Sequence, residues 1–253
     1  MRNTGSNSPL NVMTEVPSPP ASAGGGSSIP AAGELVPLDR EATMVLVILN
    51  AAVFFAEQMM QPVLLAQFQH RYQLSLEGIR AGAWWQLISY QFLHGGWWHL
   101  AFNLLFLHSL GPVLECTFGR WRFLLLYLGS GVMGGLVHLA GAVLSPGHFS
   151  HSVVGASAGL CGLLAALGAI YAEVRLPLLL FFIFPMKVKA KWVLAGFALL
   201  TVAGTLVPIG RVAHLSHLGG LLGGLCAVNL LRSERLDLLT PAEARQQGRT
   251  VPG

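Results

Sequence analysis

The chain has 253 residues, of which 53% are hydrophobic and only 10% are charged. A soluble domain usually carries about 25% charged residues, so this composition excludes an ordinary globular enzyme and points to a chain that crosses a membrane several times. The net charge of +4 is small, and the sequence has no basic stripe suited to nucleic acid.

Residues 1–40 are rich in Ser, Pro, Gly and Asn, as in P-S-P-P-A-S-A-G-G-G-S-S. Such a segment cannot bury enough apolar surface to fold, and a disordered cytoplasmic tail is expected. It has no short apolar core with a cleavage site, so the first apolar run is expected to act as the targeting signal. That run, Ala42 to about Met60, predicts the first helix, with Glu57 near its far end. Residues 61 to about 85 read as an amphipathic connection lying in the membrane interface, with Leu64, Leu65, Phe68, Leu74, Trp84 and Trp85 as its apolar and aromatic content.

Arg80 and Glu115 bound 34 charge-free residues, too many for one span of about 20. The second helix is placed in the later part, roughly 96–115, after a loop with paired tryptophans. The third runs roughly 122–144, and S-P-G-H at 145–148 then breaks the chain. The fourth is expected from about Gly155 to Tyr171, inside a stretch from Phe123 to Ala172 that holds no charge. Leu176–Met186 is apolar but short and is read as interfacial. The fifth helix spans roughly 190–207, Pro208, Gly210 and Arg211 make a turn, and the sixth runs from about 213 to 231 before a charged tail over 233–253. Cys116, Cys161 and Cys226 fall in or beside apolar runs without zinc-finger or CxxC spacing, and each reads as a buried small apolar residue.

Six helices put both termini on one side. That side would hold Arg2, Arg40, Arg120, Arg122, Arg175, Lys187, Lys189, Lys191, Arg232, Arg235, Arg245 and Arg249, against Arg71, Arg80 and Arg211 opposite. Cytoplasmic loops carry the excess of Lys and Arg, so both termini are expected in the cytoplasm. Helices two, four and six then begin on the outer side. His99 and Asn103, Ser157, and His217 each fall within about two turns of those helix starts, so three polar features distant in sequence share one depth.

A serine needs a base to attack a carbonyl at neutral pH, and histidine is the usual one. Ser157 and His217 can meet only if helices four and six pack closely. Gly155 and Gly159, Gly219 and Gly223, and Gly220 and Gly224 are each four apart, the spacing that lets helix backbones approach. His99 and Asn103 sit at i and i+4 on one helix face, where both can donate to a developing oxyanion. The plainer readings are a serine back-bonded to its own helix, a hydrogen-bonded helix histidine, and an interhelical polar clamp at His99 and Asn103. His214 has at most a supporting role beside His217, His94 ties down the loop before helix two, and His108 and His138 read as structural. No Asp or Glu is placed to orient His217, so a dyad is expected. Among nine histidines there is no H-E-x-x-H and no carboxylate cluster at the same depth, so no metal and no cofactor is expected.

With Gly155-Ala156-Ser157-Ala158-Gly159, His217 followed by Gly220 and Gly224, and H-G-G-W-W-H-L-A-F-N at 94–103, the chain resembles the rhomboid intramembrane serine proteases over about residues 42–232. The resemblance implies an all-α, six-transmembrane-helix bundle over 41–232. It implies Ser157 as nucleophile, His217 as general base, and His99, Asn103 and the Ser157 backbone N–H as oxyanion hole. Its partners would be the lipid bilayer and single-span membrane protein substrates, cut in or near their transmembrane segments without metal or cofactor. The first loop and the fifth helix would gate substrate access. Three positions depart from the family pattern. Gln86 replaces an arginine whose hydrogen bonds are expected in the first loop. Cys161 replaces an aromatic residue that stacks on the histidine, so the imidazole would be held less firmly. Ala158 replaces a glycine, and its methyl would crowd the approach to the serine.

A bacterial inner membrane is the expected location. Two rival readings stand beside the protease. A catalytically silent relative would bind transmembrane helices, against which the retained Ser157 and His217 argue. A small transporter would need a polar path to both sides, and L-L-A-A-L-G and L-L-G-G-L-C-A-V in the inner halves of helices four and six offer none.

Overall fold

The computed structural model describes residues 40–145, 149, 152–180, 184–207 and 213–237. The expected tails (all but Arg40 at the front, and 238–253 at the end), most of the S-P-G-H break and the Pro208–Arg211 turn lie outside the described residues. The described chain is mostly helical: α1 Glu41–Gln58, α2 Pro62–Tyr72, α3 Leu76–Arg80, α4 Gln86–Ser89, α5 Trp97–Phe118, α6 Arg120–Leu144, α7 Ser157–Ile170, α8 Ala190–Leu206 and α9 His214–Asp237. By length and composition α1, α5 and α6 can cross a membrane; α7 and α8 are apolar but shorter.

Side-chain chemistry explains the helix ends. The N-terminus of α1 leaves backbone N–H groups without partners inside the helix. Glu115 of α5, wholly buried, supplies them: its carboxylate accepts from Ala42 N at 2.7 Å, Thr43 N at 2.8 Å and Thr43 Oγ1 at 2.7 Å. Pro62 opens α2, where its missing N–H costs nothing. Ser75 caps α3 by accepting from Gly78 N at 3.0 Å. Gly119 joins α5 to α6 at φ +78° with open space around it, so the reversal requires glycine for its backbone alone.

The core is built around α7. Every residue from Ala158 to Gly168 is buried, which is why this segment tolerates no charge. Leu107, Leu110 and Leu114 of α5, Phe123, Leu126 and Tyr127 of α6, and Val228 of α9 close around Leu160, Leu163, Leu164 and Leu167. The outer surface is apolar as well: Val45, Ile48, Phe55, Leu105, Leu125, Leu144, Leu199 and Leu206 are all exposed. Such a surface suits hydrocarbon rather than water. Only Ala190, Thr201 and Gly204 of α8 are buried, so α8 is the most peripheral of the long helices whose burial is described throughout.

Four details go beyond or differ from the expectations. Residues 175–189 form an antiparallel hairpin, β3 Arg175–Leu180 with β4 Phe184–Lys189, in register from Arg175 opposite Lys189 to Leu180 opposite Phe184. Together with a two-residue pairing of β1, Leu74–Ser75, and β2, Ser152–Val153, it means the fold is not purely helical. The fourth long helix starts at Ser157, not Gly155. Cys161 is buried, but Cys116 and Cys226 are exposed on the outer helix surfaces.

Candidate active site

Ser157 is the first residue of α7. Gly155, two residues before it, sits at φ +124° and donates its N–H to the Tyr90 carbonyl at 2.9 Å. An L side chain is strained at that backbone angle, so glycine is needed for the turn that leads into α7. The first bond of α7 runs from Leu160 N to Ala156 O, which leaves the Ser157 N–H outside the helical ladder.

His217 is the fourth residue of α9. Its Nε2 lies 2.7 Å from Ser157 Oγ, although the two residues are sixty apart in sequence. No acidic side chain hydrogen-bonds His217 among the described residues. Two rings flank it: Phe197 of α8, tilted at 6.0 Å, and His214, edge-on at 6.3 Å.

Small residues make this approach possible, in two stripes on α9. A Cβ at Gly220 would collide with the Ala158 carbonyl, and one at Gly224 would lie 2.6 Å from Gly162 Cα. Gly219 and Gly223 face α6 instead, at Gly134 and Ser130. The expected pairing of Gly155 with Gly159 does not form a helix stripe. Gly159 meets Tyr127, whereas Gly155 lies against His99.

His99 and Asn103 stand together against Gly155, two residues before the serine. A Cβ at Gly155 would be 2.8 Å from His99 Nε2 and 3.8 Å from Asn103 Nδ2. His99 Nδ1 accepts from Gly95 N at 3.3 Å, which leaves the ring proton on Nε2. Asn103 Nδ2 is buried and has no hydrogen-bond partner among the described residues. His99 Nε2–H and Asn103 Nδ2–H are hydrogen-bond donors that meet at Gly155, two residues before Ser157. His99, Ser157 and His217 fall in the first turns of α5, α7 and α9, where helix dipoles favour negative charge.

The remaining residues fall into place around this centre. His94 is buried, with Nδ1 3.3 Å from the Phe92 carbonyl and its ring 5.2 Å from that of His99, so it packs the loop beneath His99. His138 is buried in α6, and His108 is exposed on α5, outside the site. No group of three His, Cys, Asp or Glu could hold a metal ion among the described residues.

The three departures also have outcomes. Gln86, 2% exposed, accepts from Ser75 N at 3.0 Å and donates to the carbonyls of His70 and Arg71 at 3.3 Å each, so the first loop is tied by an amide. The Ala158 methyl points at Gly134 of α6, where a Cβ would sit 2.6 Å from it, so it fills a notch between helices instead of crowding the serine. Cys161 packs with Ala165, Leu221, Leu194 and Phe197. The aromatic face beside the imidazole comes from Phe197, a residue with no local signal in the sequence because only packing brings α8 to His217.

Residues 81–234, more than half of the chain, match the family model described as the Rhomboid domain. The chain belongs to the rhomboid family. It is 33% identical over 155 residues to Rhomboid protease GluP of Bacillus subtilis, covering 60% of this chain and 27% of that one. It is 41% identical over 86 residues to Putative rhomboid protease YdcA of the same organism, covering 34% and 41%. It is 35% identical over 158 residues to RHOMBOID-like protein 5 of Arabidopsis thaliana, covering 62% and 47%. The chain thus spans between about a quarter and a half of the length of these relatives. As a rhomboid with membrane-spanning helices, it is an integral membrane protein.

Proposed function

We propose that this rhomboid is an intramembrane serine endopeptidase with a Ser157–His217 dyad. The observation that carries the reading is the 2.7 Å contact between Ser157 Oγ and His217 Nε2. With Nε2 as acceptor, the imidazole takes the hydroxyl proton as Oγ attacks the scissile carbonyl. The oxyanion then accepts from the Ser157 N–H, His99 Nε2–H and Asn103 Nδ2–H, the last having no hydrogen-bond partner among the described residues. His217 returns its proton to the leaving amine. Water then attacks the acyl-enzyme by the same route in reverse. Residues 41–232 act as a six-span bundle with both termini cytoplasmic, in a bacterial inner membrane. The substrates are single-span membrane proteins, cut in or near the bilayer. The site opens to the outer side so that water reaches it.

The test is cleavage of a model single-span substrate in liposomes by wild type, Ser157→Ala and His217→Ala. Loss of more than about 10³-fold in both variants is expected, as for any nucleophile or its base. Cleavage that survives Ser157→Ala would reject the assigned nucleophile. A folded wild type that cuts nothing and does not react with a serine-directed phosphonate would point to a helix-binding relative instead.

A further inference from the structure

A cavity of about 500 Å³ opens between the first loop and the C-terminal end of α6. Ser157, His217, His99 and Asn103 do not line it, so it is separate from the candidate active site.

Glu77 and Arg80 of α3 both line this cavity. They are three residues apart, the spacing that brings two side chains to one helix face with Cβ atoms about 5–6 Å apart. Opposite charges so placed commonly pair. These do not: among the described residues neither makes an ion pair, with the other or with a third group. A cation and a carboxylate thus share one cavity without neutralising each other, and together they complement a zwitterion. His70 and the register pair Ser75 and Ser152 of β1 and β2 add further polar lining. One wall is apolar. Val143 of α6 lines the cavity and ends an exposed stripe at helical spacing, Leu125, Leu136, Ala140 and Val143. An exposed apolar stripe on a membrane-spanning helix lies against acyl chains. The stripe leads hydrocarbon up to a cavity that carries both charges, and a zwitterionic phospholipid has the same layout of tails, phosphate and terminal amine.

We propose that this cavity holds the headgroup of a phosphatidylethanolamine lipid, with its phosphate on Arg80, its ammonium on Glu77 and an acyl chain along the α6 stripe. A guanidinium presents a fork of donors that matches phosphate oxygens. The primary ammonium donates hydrogen bonds to the carboxylate. A choline headgroup has no N–H to donate, and a glycerol headgroup leaves Glu77 without a cation. Selectivity for ethanolamine therefore resides in Glu77, and affinity for any phosphate in Arg80. Nothing in this site depends on the serine-protease reading above.

The test titrates the full chain, purified in detergent, with phosphatidylethanolamine, phosphatidylcholine and phosphatidylglycerol of identical short chains, and follows the melting temperature. A ligand that binds the folded chain alone raises it by mass action. The ethanolamine lipid is expected to act at a concentration about tenfold below the other two, the worth of one charge-assisted hydrogen bond. Arg80→Gln should raise the half-maximal concentration of all three lipids by about tenfold. Glu77→Gln should abolish the preference, leaving the ethanolamine lipid level with the choline one. Both residues are exposed, so both variants should melt with wild type when no lipid is added. If Arg80→Gln does not fold, the lost selectivity of Glu77→Gln carries the test. Equal responses of wild type to the three lipids, a preference that survives Glu77→Gln, or an unchanged affinity in Arg80→Gln would each overturn the proposal. Soluble phosphoethanolamine acting at the same concentration as the lipid would make the headgroup alone the ligand and overturn the place given to the acyl chain.

Discussion

Gln86 and Glu115 are buried polar side chains whose value lies in what they leave satisfied. Removing the Gln86 amide would take the acceptor from the Ser75 N–H and a donor from the His70 and Arg71 carbonyls, of which the Arg71 carbonyl keeps the Trp85 Nε1–H at 3.0 Å. Gln86→Ala is expected to destabilise the chain by about 1–3 kcal/mol, the usual range for a buried group left unpaired. Thermal unfolding in detergent measures this, and a variant that melts with wild type would remove Gln86 as the tie of the loop. Glu115→Ala would leave two N–H groups of α1 and the Thr43 hydroxyl without their acceptor. A loss of about 3 kcal/mol is expected, since bonds to a charged group are the stronger ones; an unchanged melting point would contradict it. Ser157, His217, His99 and Asn103 could be picked out in the sequence because polar side chains are rare in apolar runs. The partners of Gln86 could not, since the carbonyls of His70 and Arg71 carry no residue-type signal. Phe197 was hidden for a similar reason, being one aromatic among many in a lipid-facing helix.

At the scale of elements, glycines decide how close helices come, and the structure separates those that pack from those that do not. Gly224 has the α7 backbone at Gly162 against it, whereas a Cβ at Gly196 of α8 would meet nothing within 4 Å among the described residues. Gly224→Val should push α9 off α7, separate His217 from Ser157 and abolish cleavage along with much of the stability. Gly196→Ala should be neutral or stabilising by up to about 1 kcal/mol, because alanine is the better helix former. Melting temperature and cleavage rate measured together check the pair, and equal effects at the two sites would refute the stripe assignment. The four-residue spacing of the α9 glycines was visible in the sequence, but not that alternate pairs face different helices. The hairpin at 175–189 was also hidden. A short apolar run does not distinguish a strand from a helix segment by periodicity, and here the pairing partner settles it.

For the whole molecule, the charge distribution makes the orientation testable. In a background lacking the three native cysteines, a cysteine at Gln67 of α2 should react with an impermeant thiol reagent added outside intact cells, and one at Arg175 should react only after permeabilisation. The reverse pattern would overturn the positive-inside assignment. The charged side also predicts a pH response. Hydrogen bonds from Lys189 and Lys191 hold the Glu173 carboxyl down to about 2, against an ordinary 4.5. A carboxyl depressed on folding contributes stability that is present above its unfolded value and is lost as pH falls through the folded one, so the window here runs from about 4.5 down to about 2. The group is exposed, and salt should move its midpoint back up; carboxyl titration by NMR at low and high salt reads this, and a midpoint near 4.5 in low salt would refute the pairing. By itself the sequence determined the membrane class, the approximate helix positions and which polar side chains stand inside apolar runs. Apolar length, charge rarity and side-chain type are local properties, and they are written residue by residue. Only the tertiary structure decided that α7 starts at Ser157, that Gly155 lies against His99, that Ala158 fits the notch at Gly134, and that Phe197 stands beside His217. Those depend on which backbones lie within a few ångströms of each other, and that distance belongs to the packed helices together, not to any one stretch of chain.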